Sequence, residues 1–170
     1  MWLRNVPVPE PGLLGLAVGV VLHRLRPWSL PGPPRIHRLV GSILVAAGTL
    51  LVMRAVQAAG SMVIDDPDRL LTSGPYAVCR NPMYLGWWLL NVGVALAAGS
   101  GWMLVTVPPA ALAVHRGVLG EEQRLAARFG DEFDRYQARV PRYLPSPAHG
   151  LTRRTLSVRG QRCAESLVHR

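Results

Sequence analysis

Two long stretches of this chain carry no charged side chain, Leu39 to Met53 and Met83 to Val114. Such runs form a membrane pattern rather than a solvated surface, because a water-facing helix needs ionised groups along one side. The overall composition agrees: hydrophobic residues make up 49% of the chain and charged residues only 17%, low for a soluble domain. With 170 residues the chain suffices for one domain. The expectation is an all-α, polytopic helical membrane protein with about four transmembrane helices and a C-terminal amphipathic cytoplasmic helix.

The chain opens with a short Pro-rich lead, Met1 to Pro11, without the basic start and small-residue cleavage site of a signal peptide, so no cleaved leader is expected. Gly12 to Leu25 is the first apolar run, short for a spanning helix unless flanking residues join it. Arg26 to Arg38 is a basic connector containing Pro27, Pro31, Pro33 and Pro34. Leu39 to Ala59 is the second helix, and Gly41, Ser42, Ala46, Ala47, Gly48 and Thr49 give it a small-residue face suited to close helix packing in lipid. Arg54, near its end, reads as a snorkelling cation. Gly60 to Ser73 is a polar surface loop with Asp65, Asp66 and Asp68.

Pro82 to Ala98 is the third helix, and Gly99-Ser100-Gly101 a tight turn. The fourth runs from Trp102 to Leu119, with Pro108-Pro109 expected to kink or break it. From Glu121 to Val140, Leu125, Phe129, Phe133, Tyr136 and Val140 recur at helical spacing and define one apolar face, which Gly130 interrupts. The structural unit is expected to span residues 1–145, and residues 146–170 to form a basic, poorly ordered tail.

The net charge of +9 comes entirely from arginine, since the chain has no lysine. With four spans, Arg4, Arg54, Arg69, Arg80 and every arginine from Arg116 onward share one side; only Arg24, Arg26, Arg35 and Arg38 face the other. The positive-inside rule then places both termini, Gly74 to Gly86 and Glu121-Glu122 in the cytoplasm. Anionic lipid explains this charge more simply than nucleic acid, because the basic part carries no nucleic-acid motif and no aromatic platform. All-arginine usage suggests a GC-rich genome, and a bacterial inner membrane is the expected setting. Cys79 and Cys163 form no disulfide framework, and His23, His37, His115, His149 and His169 lack ligand spacing, so no metal site is expected.

One polar stretch interrupts the apolar pattern: Gly74-Pro75-Tyr76-Ala77-Val78-Cys79-Arg80-Asn81-Pro82-Met83-Tyr84-Leu85-Gly86. Gly-Pro fixes the direction of entry, and Asn81-Pro82 reads as a helix start with Asn as N-cap and Pro at the first position. Such a terminus offers free N–H groups and partial positive charge to an anion, with Arg80 just outside it and Tyr76 and Tyr84 flanking. The same residues also suit a plain capped helix with interfacial aromatics.

This stretch, followed by Glu121-Glu122, Leu125, Phe129-Gly130, Tyr136, Val140-Pro141-Arg142-Tyr143 and Pro145, resembles the isoprenylcysteine carboxyl methyltransferase family and the related membrane phospholipid N-methyltransferases. The resemblance covers about Leu39 to Pro145. It implies an S-adenosylmethionine-dependent methyltransferase of helical membrane fold, with the lipid bilayer and a lipophilic or small-molecule methyl acceptor as partners. Carried over, the cofactor-binding positions are Gly74, Pro75, Tyr76, Arg80, Asn81, Pro82, Tyr84, Glu121 and Glu122. Glu122 is also a candidate catalytic residue, with Arg139 or Arg142 orienting an acidic acceptor. Two departures stand out: Asn81 where many members have His, and Phe133 where many have Tyr. Asn keeps a hydrogen-bonding amide but cannot titrate near neutral pH.

The residue types suit that chemistry. A sulfonium methyl is already activated, so the protein mainly positions two partners and excludes water. A carboxylate at Glu121 or Glu122 can hold the cofactor's ammonium, and Arg80 or the helix start its carboxylate. Two alternatives stay open: an NADPH-dependent enzyme like the membrane sterol reductases, and an inactive helical scaffold.

Overall fold

The computed structural model describes residues 10–60 and 67–144. The expected tail and Asp65-Asp66 lie outside the described residues. The helices are α1 (Glu10–Leu25), α2 (Pro34–Ala59), α3 (Pro82–Ala97), α4 (Gly101–Val105), α5 (Val107–Phe129) and α6 (Asp131–Arg139), with a 3₁₀ turn at Gly74–Ala77. Among the described residues the fold is all-α, and the chain is a helical membrane protein. α2 and the α4–α5 pair are long and apolar enough to cross a bilayer, whereas α3 is apolar but shorter. α1 and α3 have 16 residues each. At about 1.5 Å per residue each reaches about 24 Å, short of a hydrocarbon core of about 30 Å.

The small residues of α2 are divided between two surroundings. Gly41, Gly48 and Ala55 are buried at seven-residue spacing, while Ser42, Ala46, Ala47 and Thr49 are exposed. The buried set meets Gly93 and Gly86 of antiparallel α3. A Cβ on Gly41 would lie 2.6 Å from the Gly93 carbonyl oxygen, and one on Gly48 2.6 Å from that of Gly86. These backbones touch, and dispersion over the contact drives helix pairing in lipid, where burial from water contributes little. Leu39, Val40, Ile43, Leu50 and Met53 cover the outer face of α2 and are exposed. α1 repeats the device: Gly19 rests on Met103 and Gly12 on Asn91.

At the end of the bundle opposite Gly74–Ala77, the α1–α2 connector is clasped to the Gly99–Gly101 turn. Leu30 N–H donates to the Gly99 carbonyl and Gly101 N–H to the Trp28 carbonyl, both at 2.9 Å. Trp102 Nε1 donates to the Arg26 carbonyl at 2.8 Å, and the Trp28 and Trp102 rings meet edge to face at 5.2 Å. These bonds satisfy backbone groups of a Pro-rich segment that forms no helix of its own.

Two expectations are corrected. The interruption near Pro108-Pro109 falls at Thr106, between α4 and α5. Both prolines thus lie in the first turn of α5, where a missing N–H leaves no intrahelical bond unmade. Nor does the helix stop near Leu119: α5 runs on through Gly120 to Phe129 and breaks at Gly130, at φ 47°. Gly120 keeps helical geometry, so it costs some stability without acting as a stop. The amphipathic segment is therefore the end of α5 plus α6. Its apolar face does not lie on lipid, because Phe133, 2% exposed, packs with Tyr136 and Val140 against Leu70, Leu125 and Phe129.

Candidate active site

Three segments distant in sequence converge beside the start of α3. The backbone joins them first: Arg80 N–H donates to the Pro141 carbonyl at 2.9 Å and Asn81 N–H to the Arg142 carbonyl at 3.2 Å. The chain after α6 thus lies along the polar stretch like a short strand. Glu122, from the middle of α5, points into the junction and is 9% exposed. Its Oε2 accepts from Arg142 Nε at 3.0 Å and Nη2 at 2.7 Å. Its Oε1 lies 3.2 Å from Arg80 Nη2 and accepts from Asn81 Nδ2 at 3.4 Å. One buried carboxylate is therefore matched by two guanidinium groups and an amide. That donor count is what offsets the desolvation of an isolated charge.

Asn81 occupies the N-cap position of α3, but its side chain caps nothing. Instead Nδ2 is shared between Glu122 and the Arg142 carbonyl, at 3.4 and 3.3 Å. Pro82 makes this possible, because proline at the first helical position removes one N–H that a cap would serve.

Around this knot lies a cavity of about 80 Å³. Tyr76, Arg80, Asn81, Glu121 and Glu122 form its polar wall, and Leu70, Leu125 and Phe133 its apolar wall. Tyr84 donates to Glu121 Oε2 at 3.4 Å, and Tyr136 donates to the Tyr76 carbonyl at 2.7 Å. Burial, reinforced by the Glu121 charge, pushes the Tyr76 hydroxyl well above its usual range. Burial does the same to Tyr136 against the opposing pull of Arg80. Both therefore remain hydroxyl donors at neutral pH. The hydrogen bond to Glu122 holds Arg142 still more firmly protonated, with burial opposing.

The expected site residues divide. Tyr76, Arg80, Asn81, Glu121 and Glu122 line the cavity, and Tyr84 reaches it through Glu121. Gly74, Pro75 and Pro82 do not; with Val78 and Cys79 they line a second, larger and apolar groove against α2. The two spaces share no lining residue, so the polar stretch is the partition between them. Arg142 is in the site, but its guanidinium is engaged by Glu122. Arg139 is not brought in: it lies exposed on α6, its Nε donating to the Arg135 carbonyl at 3.0 Å. Seven lining residues were not among the expected site residues: Pro67, Arg69, Leu70, Leu71, Leu125, Phe133 and Tyr136. The Leu70-Leu71 pair in a polar loop was the available signal.

The site is thus a buried, multiply bonded carboxylate at one end of a bundle of apolar helices. A family model describing phospholipid methyltransferases matches residues 36–132, and the chain belongs to that family. Protein-S-isoprenylcysteine O-methyltransferase of Mus musculus is 33% identical over 113 residues, 62% of this chain and 40% of that protein. The protein of the same name from Xenopus laevis is 30% identical over 115 residues, 63% of this chain and 40% of its own length. The nickel-cobalt-cadmium resistance protein NccN of Alcaligenes xylosoxydans xylosoxydans is 32% identical over 76 residues, 45% of this chain and 36% of that protein. The chain thus spans about two fifths of the length of these curated relatives.

Proposed function

We propose that the chain is an S-adenosylmethionine-dependent methyltransferase acting on a lipophilic or small acceptor at the cytoplasmic face of a bacterial inner membrane, with both termini cytoplasmic. The observation that carries this is the buried Glu122 carboxylate, held by Arg80, Asn81 and Arg142 on the wall of a cavity that is apolar on its other side.

The residues fit the cofactor. Arg80 Nε is buried without a partner, so a donor stands ready for an anionic group such as the cofactor's carboxylate. Glu121 and Glu122 suit its ammonium, and Leu70, Leu125 and Phe133 suit the flat face of an adenosine. When bound, S-adenosylmethionine supplies an activated methyl for in-line displacement. The chain's own task is then to position, to exclude water and to keep competing nucleophiles away. A cavity of about 80 Å³ is smaller than the roughly 300 Å³ or more of a ligand pocket, so the walls part on binding.

Titration calorimetry on the detergent-purified protein tests the proposal, with Arg80→Ala alongside. Saturable S-adenosylmethionine binding in the wild type and its loss in the variant are expected. No binding at millimolar cofactor, or binding of NADPH in its place, overturns it.

A further inference from the structure

Four arginines stand at the end of the bundle away from the cavity, where the positive-inside rule leaves them unexplained. Arg24 and Arg26 lie at the end of α1, Arg35 in the first turn of α2 and Arg38 just after it. All four are exposed. Among the described residues their side chains make no ion pair and no hydrogen bond. The sequence has no Asp or Glu between Glu10 and Asp65, nor between Asp68 and Glu121. The end of α1, its connector to α2, the start of α2 and the Gly99–Gly101 turn all fall within those two gaps. The like charges therefore repel one another with no acid of the chain beside them. Arg35 adds a second conflict. A helix N-terminus carries partial positive charge and favours acids, yet the first turn of α2 has none and Pro33 offers it no side-chain cap. An anion from outside the chain relieves both.

The surroundings select the kind of anion. Exposed apolar side chains interleave with the arginines: Leu25 between Arg24 and Arg26, Ile36 between Arg35 and Arg38, and Leu39 just beyond. In a bilayer those side chains mark the hydrocarbon edge, which sets the guanidinium groups in the phosphate layer. Trp28 and Trp102 stand at the same level, the depth that interfacial indoles favour. The pair is held firmly, since Trp102 bonds the Arg26 carbonyl and a Cβ on Gly101 would lie 2.6 Å from the Trp28 ring. α1 packs on α4 and α5, whereas α2 packs on α3, so the clasp sets one arginine pair on each side of the Gly99–Gly101 turn. A soluble acidic partner reaches the guanidinium groups but leaves Leu25, Ile36 and Leu39 uncovered. A phospholipid brings a phosphate and an acyl chain together.

We propose that this end of the bundle is a surface for anionic phospholipid, on which the phosphodiester headgroups of the adjoining leaflet neutralise Arg24, Arg26, Arg35 and Arg38. The inference is independent of the methyltransferase assignment, because it concerns the end of the bundle away from the cavity.

The test compares full-length wild type with the double variant Arg35→Gln/Arg38→Gln by thermal unfolding in two kinds of nanodisc. One holds phosphatidylcholine alone, the other an equal mixture of phosphatidylcholine and phosphatidylglycerol. In phosphatidylcholine the double variant should be the more stable, because it loses the mutual repulsion and the conflict with the α2 N-terminus. In the mixture the order should reverse. The wild-type midpoint is expected to rise by about 5 °C from the first lipid to the second, more than the variant's. A purely structural role for these side chains gives no reversal, since lost packing lowers the variant in both lipids alike. Arg35→Lys/Arg38→Lys keeps the charges and should follow the wild type. Arg135→Gln/Arg139→Gln, on α6 beside Asp131, Glu132 and Asp134, should show no reversal. The same order of stabilities in both lipids, or an equal reversal in the α6 pair, overturns the proposal. Inorganic phosphate added to the phosphatidylcholine samples should leave their order unchanged. A reversal by phosphate alone would identify a site for free anions and overturn the lipid assignment.

Discussion

Glu122 and Arg142 stand twenty positions apart and meet through two hydrogen bonds to a single carboxylate oxygen, at 3.0 and 2.7 Å. The contact ties the segment after α6 to the middle of α5, beside the cavity that Glu122 lines and next to Tyr143 on the edge of the groove. Removing the negative charge leaves two guanidinium groups close together with only a neutral amide between them. Glu122→Gln should therefore lower stability by about 3 kcal/mol and abolish cofactor binding. Thermal unfolding in detergent, read beside calorimetry, checks both.

The two arginines expected to orient an acceptor should now behave oppositely. Arg142→Ala removes the two-pronged contact and should weaken cofactor binding by about tenfold or more, the equivalent of at least 1.4 kcal/mol. Arg139→Ala touches only an exposed helix face and should change affinity by less than about twofold. Equal effects of the two substitutions would mean that α6 adopts a different position when the cofactor is bound.

The packing of α2 on α3 gives a sharper contrast. A Cβ at Gly48 meets the Gly86 carbonyl oxygen at 2.6 Å, closer than real contacts come. Gly48→Ala should force the helices apart at a cost of about 1–3 kcal/mol. Ala47→Leu, on the exposed side of the same turn, should be tolerated. The measurement is the unfolding midpoint of each variant in the same detergent.

How much of this was legible in the sequence follows from range. Charge-free runs, Pro and Gly placed the ends of α1 and α2 at Leu25 and Ala59 and the start of α3 at Pro82, because those signals are local. That Glu121-Glu122 meets Arg80-Asn81 came from the family resemblance, since no local rule brings residues 41 positions apart into one cavity. The partition was not legible. Gly74, Pro75 and Pro82 belong to the same motif as Tyr76 and Arg80, but the 3₁₀ turn and the α3 start direct them into the opposite space. Nor was the continuity of α5 past Gly120: a separate amphipathic segment was expected from Glu121, and Glu121-Glu122 stand instead within α5.

Alkaline pH should destabilise the end of the bundle that carries the cavity in two stages. Burial raises the Cys79 thiol above its ordinary 9.0 and the Tyr76 and Tyr136 hydroxyls above their ordinary 10.0. The folded state thus holds these protons more tightly than the unfolded chain, and their contribution is fully present below the unfolded values. As pH rises past 9 and then past 10, the unfolded state loses protons first and stability falls. The unfolding midpoint should be flat with respect to these groups between pH 7 and about 8.5, then drop, more steeply above about 10. Tyr136→Phe should lower the neutral-pH midpoint, since the bond to the Tyr76 carbonyl is lost, and flatten the steeper part of the fall.

Asn81 decides whether the site needs a titrating group. Its amide donates to Glu122 and to the Arg142 carbonyl while itself 8% exposed. Asn81→Asp deletes both donations and sets a second carboxylate against Glu122, so cofactor binding and stability should both collapse. Asn81→His keeps one ring N–H for Glu122 and should retain binding within about tenfold, a loss of no more than 1.4 kcal/mol. If the acceptor is a carboxylate, the wild-type rate should show no ionisation between pH 6 and 8, because no proton leaves the acceptor. A faster Asn81→His variant whose rate rises with an apparent pKa near 6.5 would instead indicate an acceptor that must be deprotonated. That result would point to an amine, thiol or phenol acceptor.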